Sequence, residues 1–152
     1  MGEVFFYHLT QSSLDATLRS LLEKCRGAGW RVAVRGKTAG VLDHLDAQLW
    51  LGDPAGFLPH GRAGGPHDAD QPILLTTDQA APNRPDCIVS IEGADIAPDE
   101  AAGLARAMVV FDGNDPDGLM TARAQWRLFK DAGTKAKYWS EDTGRWTMKA
   151  ET

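Results

Sequence analysis

Three basic side chains near the C-terminus are the residues best suited to chemistry. Arg123, Arg127 and Lys130 are spaced by four and three residues, so a helix would carry them on one face. A planar guanidinium donates two hydrogen bonds to a carboxylate, which suits this row to an anionic peptide or a phosphate backbone. Trp126 lies at the border of the row and would offer an apolar surface. The alternative is an ordinary amphipathic helix that packs Trp126 and leaves its arginines in water.

A long helix at 116–132 must position these residues. Asp115 is its predicted N-cap, Pro116 fits the first helical position, and Gly133 ends it. Helical spacing also predicts an apolar stripe toward the core, formed by Leu119, Ala122, Trp126 and Phe129.

A phosphate-binding loop is the next candidate. Gly36-Lys37-Thr38 follows a predicted strand and precedes a predicted helix, where a P-loop would end. A P-loop also needs a glycine five residues before Gly36, and that position is Arg31. The sequence therefore favours a tight strand-to-helix turn, and it contains no Gly-x-Gly-x-x-Gly motif.

Nucleophile and metal signals are weak. Cys25 falls on the apolar face of a predicted helix and Cys87 opens an apolar strand, so both thiols are expected to be packed. The four histidines have no metal-ligand spacing, and His60 and His67 are expected in a solvated polar loop. We expect no metal and no cofactor.

The charge is unevenly distributed along an acidic chain of 152 residues with net charge -5. Residues 92–117 carry a net charge of -6, whereas residues 119–149 carry +4. The overall sign disfavours non-specific duplex DNA binding, and the basic region suits an acidic partner. No stretch reaches the ~18 apolar residues of a membrane span, and two cysteines indicate a reducing cytosol.

Strand and helix patterns alternate along the chain, which predicts an α/β layer fold with a mainly parallel sheet, helices on both faces and a C-terminal hairpin. We expect a single domain over 1–152, with a long Gly/Pro-rich loop at about 52–72. Predicted strands are 3–9, 30–35, 73–76, 87–91, 107–111, 135–139 and 145–148; predicted helices are 14–26, 38–50, 99–105 and 116–132.

Several short motifs follow one another along the chain. They are Phe6-Tyr7-His8-Leu9, Leu42-Asp43 leading to Leu49-Trp50, Phe57-Leu58-Pro59-His60, strand 87–91, Val110-Phe111-Asp112, the Arg123 to Gly133 helix face, Tyr138-Trp139 and Gly144 with Trp146. Each motif is weak alone, but the set covers nearly the whole chain. In order and spacing the set resembles the chi subunit of bacterial DNA polymerase III holoenzyme.

The resemblance implies a Rossmann-like three-layer fold without a nucleotide site, and a cytoplasmic, nucleoid-associated replisome accessory protein that is not an enzyme. Such proteins bind the acidic C-terminal tail of single-stranded DNA-binding protein and link it to the clamp loader, partly through the subunit psi. Contact with DNA would be indirect. The implied tail-binding residues are Arg123, Trp126, Arg127 and Lys130, and the implied psi or clamp-loader contact is Phe57. Leu119 replaces a lysine common in the family, which implies a less basic tail site.

Two other functions stay open on the residues alone. One is a Rossmann-like enzyme that binds nucleotide or phosphate near Lys37-Thr38. The other is a direct binder of single-stranded nucleic acid, using exposed tryptophans with basic side chains. The basic residues of that second alternative are Arg123, Arg127, Lys135, Lys137 and Arg145.

Overall fold

The computed structural model describes residues 2–51, 60–79, 82–141 and 146–151. None of the helices in these ranges has the length and apolar content that crossing a bilayer requires. The elements in chain order are β1 (Glu3–Leu9), α1 (Leu14–Gly27), β2 (Val32–Arg35), α2 (Ala39–Trp50), β3 (Gly61–Arg62), β4 (Ile73–Thr76), β5 (Cys87–Ser90), α3 (Pro98–Ala102), β6 (Arg106–Asp112), α4 (Pro116–Asp131), β7 (Ala136–Ser140) and β8 (Thr147–Glu151).

The strands form one eight-stranded sheet in the order β3-β4-β2-β5-β6-β1-β7-β8. Neighbouring strands are parallel except for β7 and β8, which pair antiparallel. Parallel neighbours need crossover connections, and the helices between the strands supply most of them. The predicted α/β class, the mainly parallel sheet and the closing hairpin are confirmed.

Helices cover both faces of this sheet. In β2, Val32 and Val34 belong to the core cluster that contains α1 and α2, whereas Ala33 belongs to the cluster that contains α3 and α4. This division follows because successive side chains of a strand point to opposite faces. All four residues of β2 are buried, as expected for a strand covered on both sides. The predicted three-layer arrangement is confirmed.

The helix starts follow the cap residues in the sequence. The Ser13 side chain accepts a hydrogen bond from the Ala16 amide at 3.1 Å, and α1 begins there. Asp115 accepts from the Asp117 amide at 3.3 Å, and Pro116 is the first residue of α4, as predicted.

The predicted loop at 52–72 contains regular structure in its described part. Gly61–Arg62 forms the edge strand β3 on β4, and the Ala63 amide donates to the Leu75 carbonyl at 2.8 Å. Several boundaries differ from prediction by one or two residues, and two differ more: α3 is shorter than 99–105, and the last strand lies at Thr147–Glu151 rather than 145–148.

Candidate functional site

Helix α4 places the predicted basic row on the surface because its other face is held by the core. Phe129 is fully buried against the sheet, and the buried Gln125 donates from Nε2 to the Ala94 carbonyl at 3.1 Å. These contacts fix the rotation of the helix. Arg123, Arg127 and Lys130 are consequently all exposed, while Ala122 points inward.

Trp126 lies between the core and the solvent, as its border position predicts. Its side chain is half-buried and meets Phe6 edge-on at a ring separation of 5.4 Å. It also meets Tyr138 of β7 edge-on at 5.9 Å. Edge-to-face contacts on two sides hold the indole in one orientation, so one part of it packs and the rest faces outward.

A groove of about 340 Å³ opens between α4 and the β7–β8 hairpin. It combines three cationic side chains with an aromatic wall, and no carboxylate of the described residues lines it. Lys130, one turn beyond Arg127, is not among the residues that line it. The lining residues are Arg123, Trp126, Arg127, Tyr138, Lys149 and Ala150.

The arginines of this groove have no internal ion-pair partner in the described part of the chain. Their guanidinium groups are therefore available to an anion from outside, without the loss of a native salt bridge. The geometry supports binding of a carboxylate beside an apolar group.

Tyr138 forms the floor of the groove. Its ring stacks on Phe6 at an interplanar angle of 12°, and its hydroxyl shares a hydrogen bond of 2.6 Å with Nδ1 of His8. Burial raises the pKa of Tyr138, and the positive charge of Arg123 partly offsets this rise. The hydroxyl is thus neutral and committed to His8, so this residue contributes an apolar ring surface to the groove.

Sequence reasoning missed three lining residues: Tyr138 as a member of the site, Lys149 and Ala150. The hairpin brings them to α4, because Tyr138 of β7 pairs with Ala150 of β8. The predicted hairpin was the available signal. The predicted hairpin did not show which face of its strands would meet α4.

Phe57, the predicted psi or clamp-loader contact, lies outside the described residues. The nearby end of α2 carries two exposed apolar side chains, Trp50 at 52% and Leu51 at 77%. Trp50 packs on His60 with ring centroids 4.2 Å apart. The predicted solvated position of His60 is wrong: it is buried, with Nε2 3.1 Å from an Asp46 carboxylate oxygen, because Trp50 covers it.

The Gly36-Lys37-Thr38 turn already holds a carboxylate. Glu92, which has a positive φ of 58°, accepts hydrogen bonds from the amides of Lys37 and Thr38, both at 3.2 Å. The Thr38 hydroxyl also donates to Glu92 at 2.9 Å. These are the groups that would hold a phosphate at the start of α2. The nucleotide alternative therefore requires the displacement of an internal anion.

A second carboxylate occupies the turn between β1 and α1. Glu141 accepts from the amides of Thr10, Gln11 and Ser12, at 3.1, 2.7 and 2.5 Å, and from the Ser12 hydroxyl at 2.7 Å. Burial by itself would raise the pKa of Glu141, but these four hydrogen bonds outweigh it and lower the pKa to about 2. The end of β7 is thereby held to the turn that precedes α1.

Within the described ranges, no group of three or more His, Cys, Asp or Glu side chains is arranged to hold a metal ion. Cys25 and Cys87 are both buried and reduced, as the sequence predicts.

Comparison with known protein families assigns the chain to a family. The family model for DNA polymerase III chi subunit, HolC, matches residues 1–137. The chain belongs to this chi family. A probable DNA polymerase III subunit chi of Rickettsia prowazekii (strain Madrid E) is 28% identical over 97 residues, which is 64% of this chain. The matched region covers 59% of that relative's length.

The region matched by the chi family model ends between the two sides of the groove. The α4 residues Arg123, Trp126, Arg127 and Lys130 lie within the matched region, and so does Phe57. The hairpin residues that complete the groove, from Tyr138 onward, follow it. The α4 side of the groove is therefore the part that the chi family model describes, and the hairpin side comes from the part of the chain beyond the match.

Proposed function

We propose that this chi-family protein is a non-catalytic accessory subunit of DNA polymerase III that binds the C-terminal tail of single-stranded DNA-binding protein in the α4–hairpin groove. The observation that carries the proposal is that two arginines, which have no ion-pair partner among the described residues, lie beside a fixed aromatic wall. A tail that is acidic, ends in an apolar side chain and carries a free carboxylate complements both features.

The terminal carboxylate binds Arg127 or Arg123, whose forked donors fit its two oxygens. The apolar side chain at the end of the tail lies on Trp126. Across the groove, Ala150 of β8 is small and leaves room for it. Lys130, just outside the groove, and Lys149, on its rim, attract the acidic residues that precede the terminus. These outer contacts are exposed and therefore weak at physiological ionic strength, where charges are screened within ~8 Å.

The link to the clamp loader uses the end of α2. Trp50 and Leu51 expose apolar surface there, next to the segment that contains Phe57. Helix α2 packs in the core cluster on one face of the sheet and α4 in the cluster on the other. The two partners therefore approach from opposite sides, and one molecule holds both at once.

The test is a titration of the full chain with a fluorescent peptide that copies the acidic, apolar-ended tail. A second peptide carries an amidated C-terminus. Binding of the free acid that collapses on amidation supports the proposal, because only the free acid offers the terminal carboxylate. Equal binding of the two peptides, or no binding of either, contradicts it.

Lys37→Ala is the matched control for the arginine variants. It removes one positive charge from an exposed residue in the β2–α2 turn. β2 and β7 are separated by three strands, so the control lies roughly 19 Å or more from the groove at ~4.8 Å per strand. A loss of peptide binding in this variant as large as in Arg127→Ala would show that net charge, not the groove, controls binding.

A further inference from the structure

A second cavity, of about 480 Å³, lies on the opposite face of the sheet between α1 and the β7–β8 edge. The core cluster on this face contains no residue of β7 or β8 among the described residues, so the sheet there lacks a helical cover. We refer to this cavity as the aromatic pocket. It is lined by Phe5, Tyr7, Ser12, Ala16, Thr17, Ser20, Leu21, Lys24, Arg106, Trp139 and Trp146.

Four aromatic rings form the floor of the aromatic pocket: two from β1, one from the adjacent strand β7 and one from the β7–β8 connection. Phe5 lies 6.4 Å from Tyr7 and 6.2 Å from Trp139, measured between ring centroids. Trp146, 38% exposed, meets Tyr7 edge-on at 5.5 Å. Rings presented on an open sheet face are the arrangement that stacks unpaired bases in sheet-based single-strand binders.

The charged groups of the pocket are cations. The guanidinium of Arg106 lies 4.0 Å above the Phe5 ring, and Lys24 is exposed at the rim. No carboxylate of the described chain lines the pocket. The complementary ligand is planar, to match the aromatic rings, and negatively charged, to match the two cations.

We propose that the aromatic pocket binds a nucleotide unit of single-stranded nucleic acid, with the base on the aromatic floor and the phosphodiester beside Lys24. The site is separate from the α4–hairpin groove. This proposal therefore does not depend on the proposed binding of the tail of single-stranded DNA-binding protein. This site also differs from the single-strand binding site that the sequence alone suggested, because that site uses the α4 arginines, which lie on the other face of the sheet.

A strand fits the pocket better than a free nucleotide does. A terminal phosphate carries more than one negative charge and is usually held by backbone amides at a helix start. The amides before α1 and at the start of α2 already hold the carboxylates of Glu141 and Glu92. Single side-chain cations at the rim, Lys24 above all, match the single charge of a phosphodiester.

The experiment measures the anisotropy of a labelled oligothymidylate titrated with the full chain at low salt, together with quenching of tryptophan fluorescence. We expect saturable binding that weakens as salt is added. Trp146→Ala should weaken it about five-fold or more, the loss expected for one stacked base. Lys24→Ala, on the exposed surface of α1, should weaken it without any effect on folding, and Lys37→Ala should leave it within about two-fold.

Three further arms separate this proposal from others. An abasic oligonucleotide that binds as well as oligothymidylate overturns it, because stacking is then absent. A mononucleotide or the acidic tail peptide that competes from the same pocket overturns it in favour of that ligand. Arg127→Ala should weaken tail-peptide binding and leave oligonucleotide binding unchanged. Loss of oligonucleotide binding in that variant would overturn the proposal, because it would place the strand in the α4–hairpin groove.

Discussion

Replacement of Glu141 by glutamine should lower the free energy of unfolding by about 2–3 kcal/mol at pH 7. The carboxylate accepts four hydrogen bonds from the β1–α1 turn, and its pKa falls from 4.5 to about 2. A tenfold change in proton affinity corresponds to about 1.4 kcal/mol, so the fall of the pKa from 4.5 to about 2 corresponds to at most about 3.4 kcal/mol. The glutamine keeps one acceptor oxygen but turns an amide group toward the Ser12 hydroxyl, which leaves part of the stabilisation in place.

The sign of the pH dependence follows from the lowered pKa of Glu141. The folded-state pKa, about 2, is below the ordinary value of 4.5, so the carboxylate stabilises the fold fully above pH 4.5. This stabilisation is lost as the pH falls through 4.5 toward 2. The difference in unfolding free energy between the native protein and Glu141→Gln should therefore be constant from pH 7 to 5 and shrink below that.

Urea unfolding followed by tryptophan fluorescence measures this difference. Glu23→Gln is the matched control, because Glu23 is exposed on α1 and forms no hydrogen bond or ion pair among the described residues. A difference below about 0.5 kcal/mol at pH 7, or one unchanged between pH 5 and 2.5, would refute the role given to the four hydrogen bonds.

The other predictions concern the tail groove and the core. Arg127→Ala should weaken tail-peptide binding by about 1–3 kcal/mol in the fluorescence titration, as loss of one partner of a charged hydrogen bond does; an unchanged affinity removes Arg127 from the site. Lys149→Ala should make the tail-peptide affinity less dependent on salt, while changing the affinity at high salt very little. If the affinity of the variant falls with added salt as steeply as that of the native protein, Lys149 has no role on the rim of the groove. Glu100→Gln should cost about 3 kcal/mol in urea unfolding, because the fully buried Arg35 loses its paired carboxylate at 2.7 Å; a loss below about 1 kcal/mol would show that backbone carbonyls suffice.

Local patterns predicted most of the secondary structure. Period-two alternation and apolar runs placed β1 and β4 at their observed bounds, and cap residues such as Ser13 and Asp115 placed the helix starts. The strand β3 at Gly61–Arg62 was missed because two residues carry no periodicity, and it exists only because β4 offers an edge.

Contacts between distant segments explain the remaining errors. The burial of His60 depends on Trp50 and Asp46 of α2, which no spacing rule connects to it. The filling of the Gly36-Lys37-Thr38 turn depends on Glu92, which reaches it from the end of β5. In both cases the sequence showed a group that could bind a ligand, His60 or the Gly36-Lys37-Thr38 turn. It did not show the internal carboxylate that already binds that group, Asp46 or Glu92.

The sequence by itself determined the alternation of strands and helices, the basic row on α4 and the border position of Trp126, because each depends on residues one or two helical turns apart. Only the tertiary structure decided that the β7–β8 hairpin closes a groove against α4 and leaves an aromatic pocket on the other face. Those two cavities depend on the pairing of β7 with β1, across about 130 residues of chain. Hydrophobic periodicity carries no information at that separation, since it repeats within each element and does not specify which elements meet.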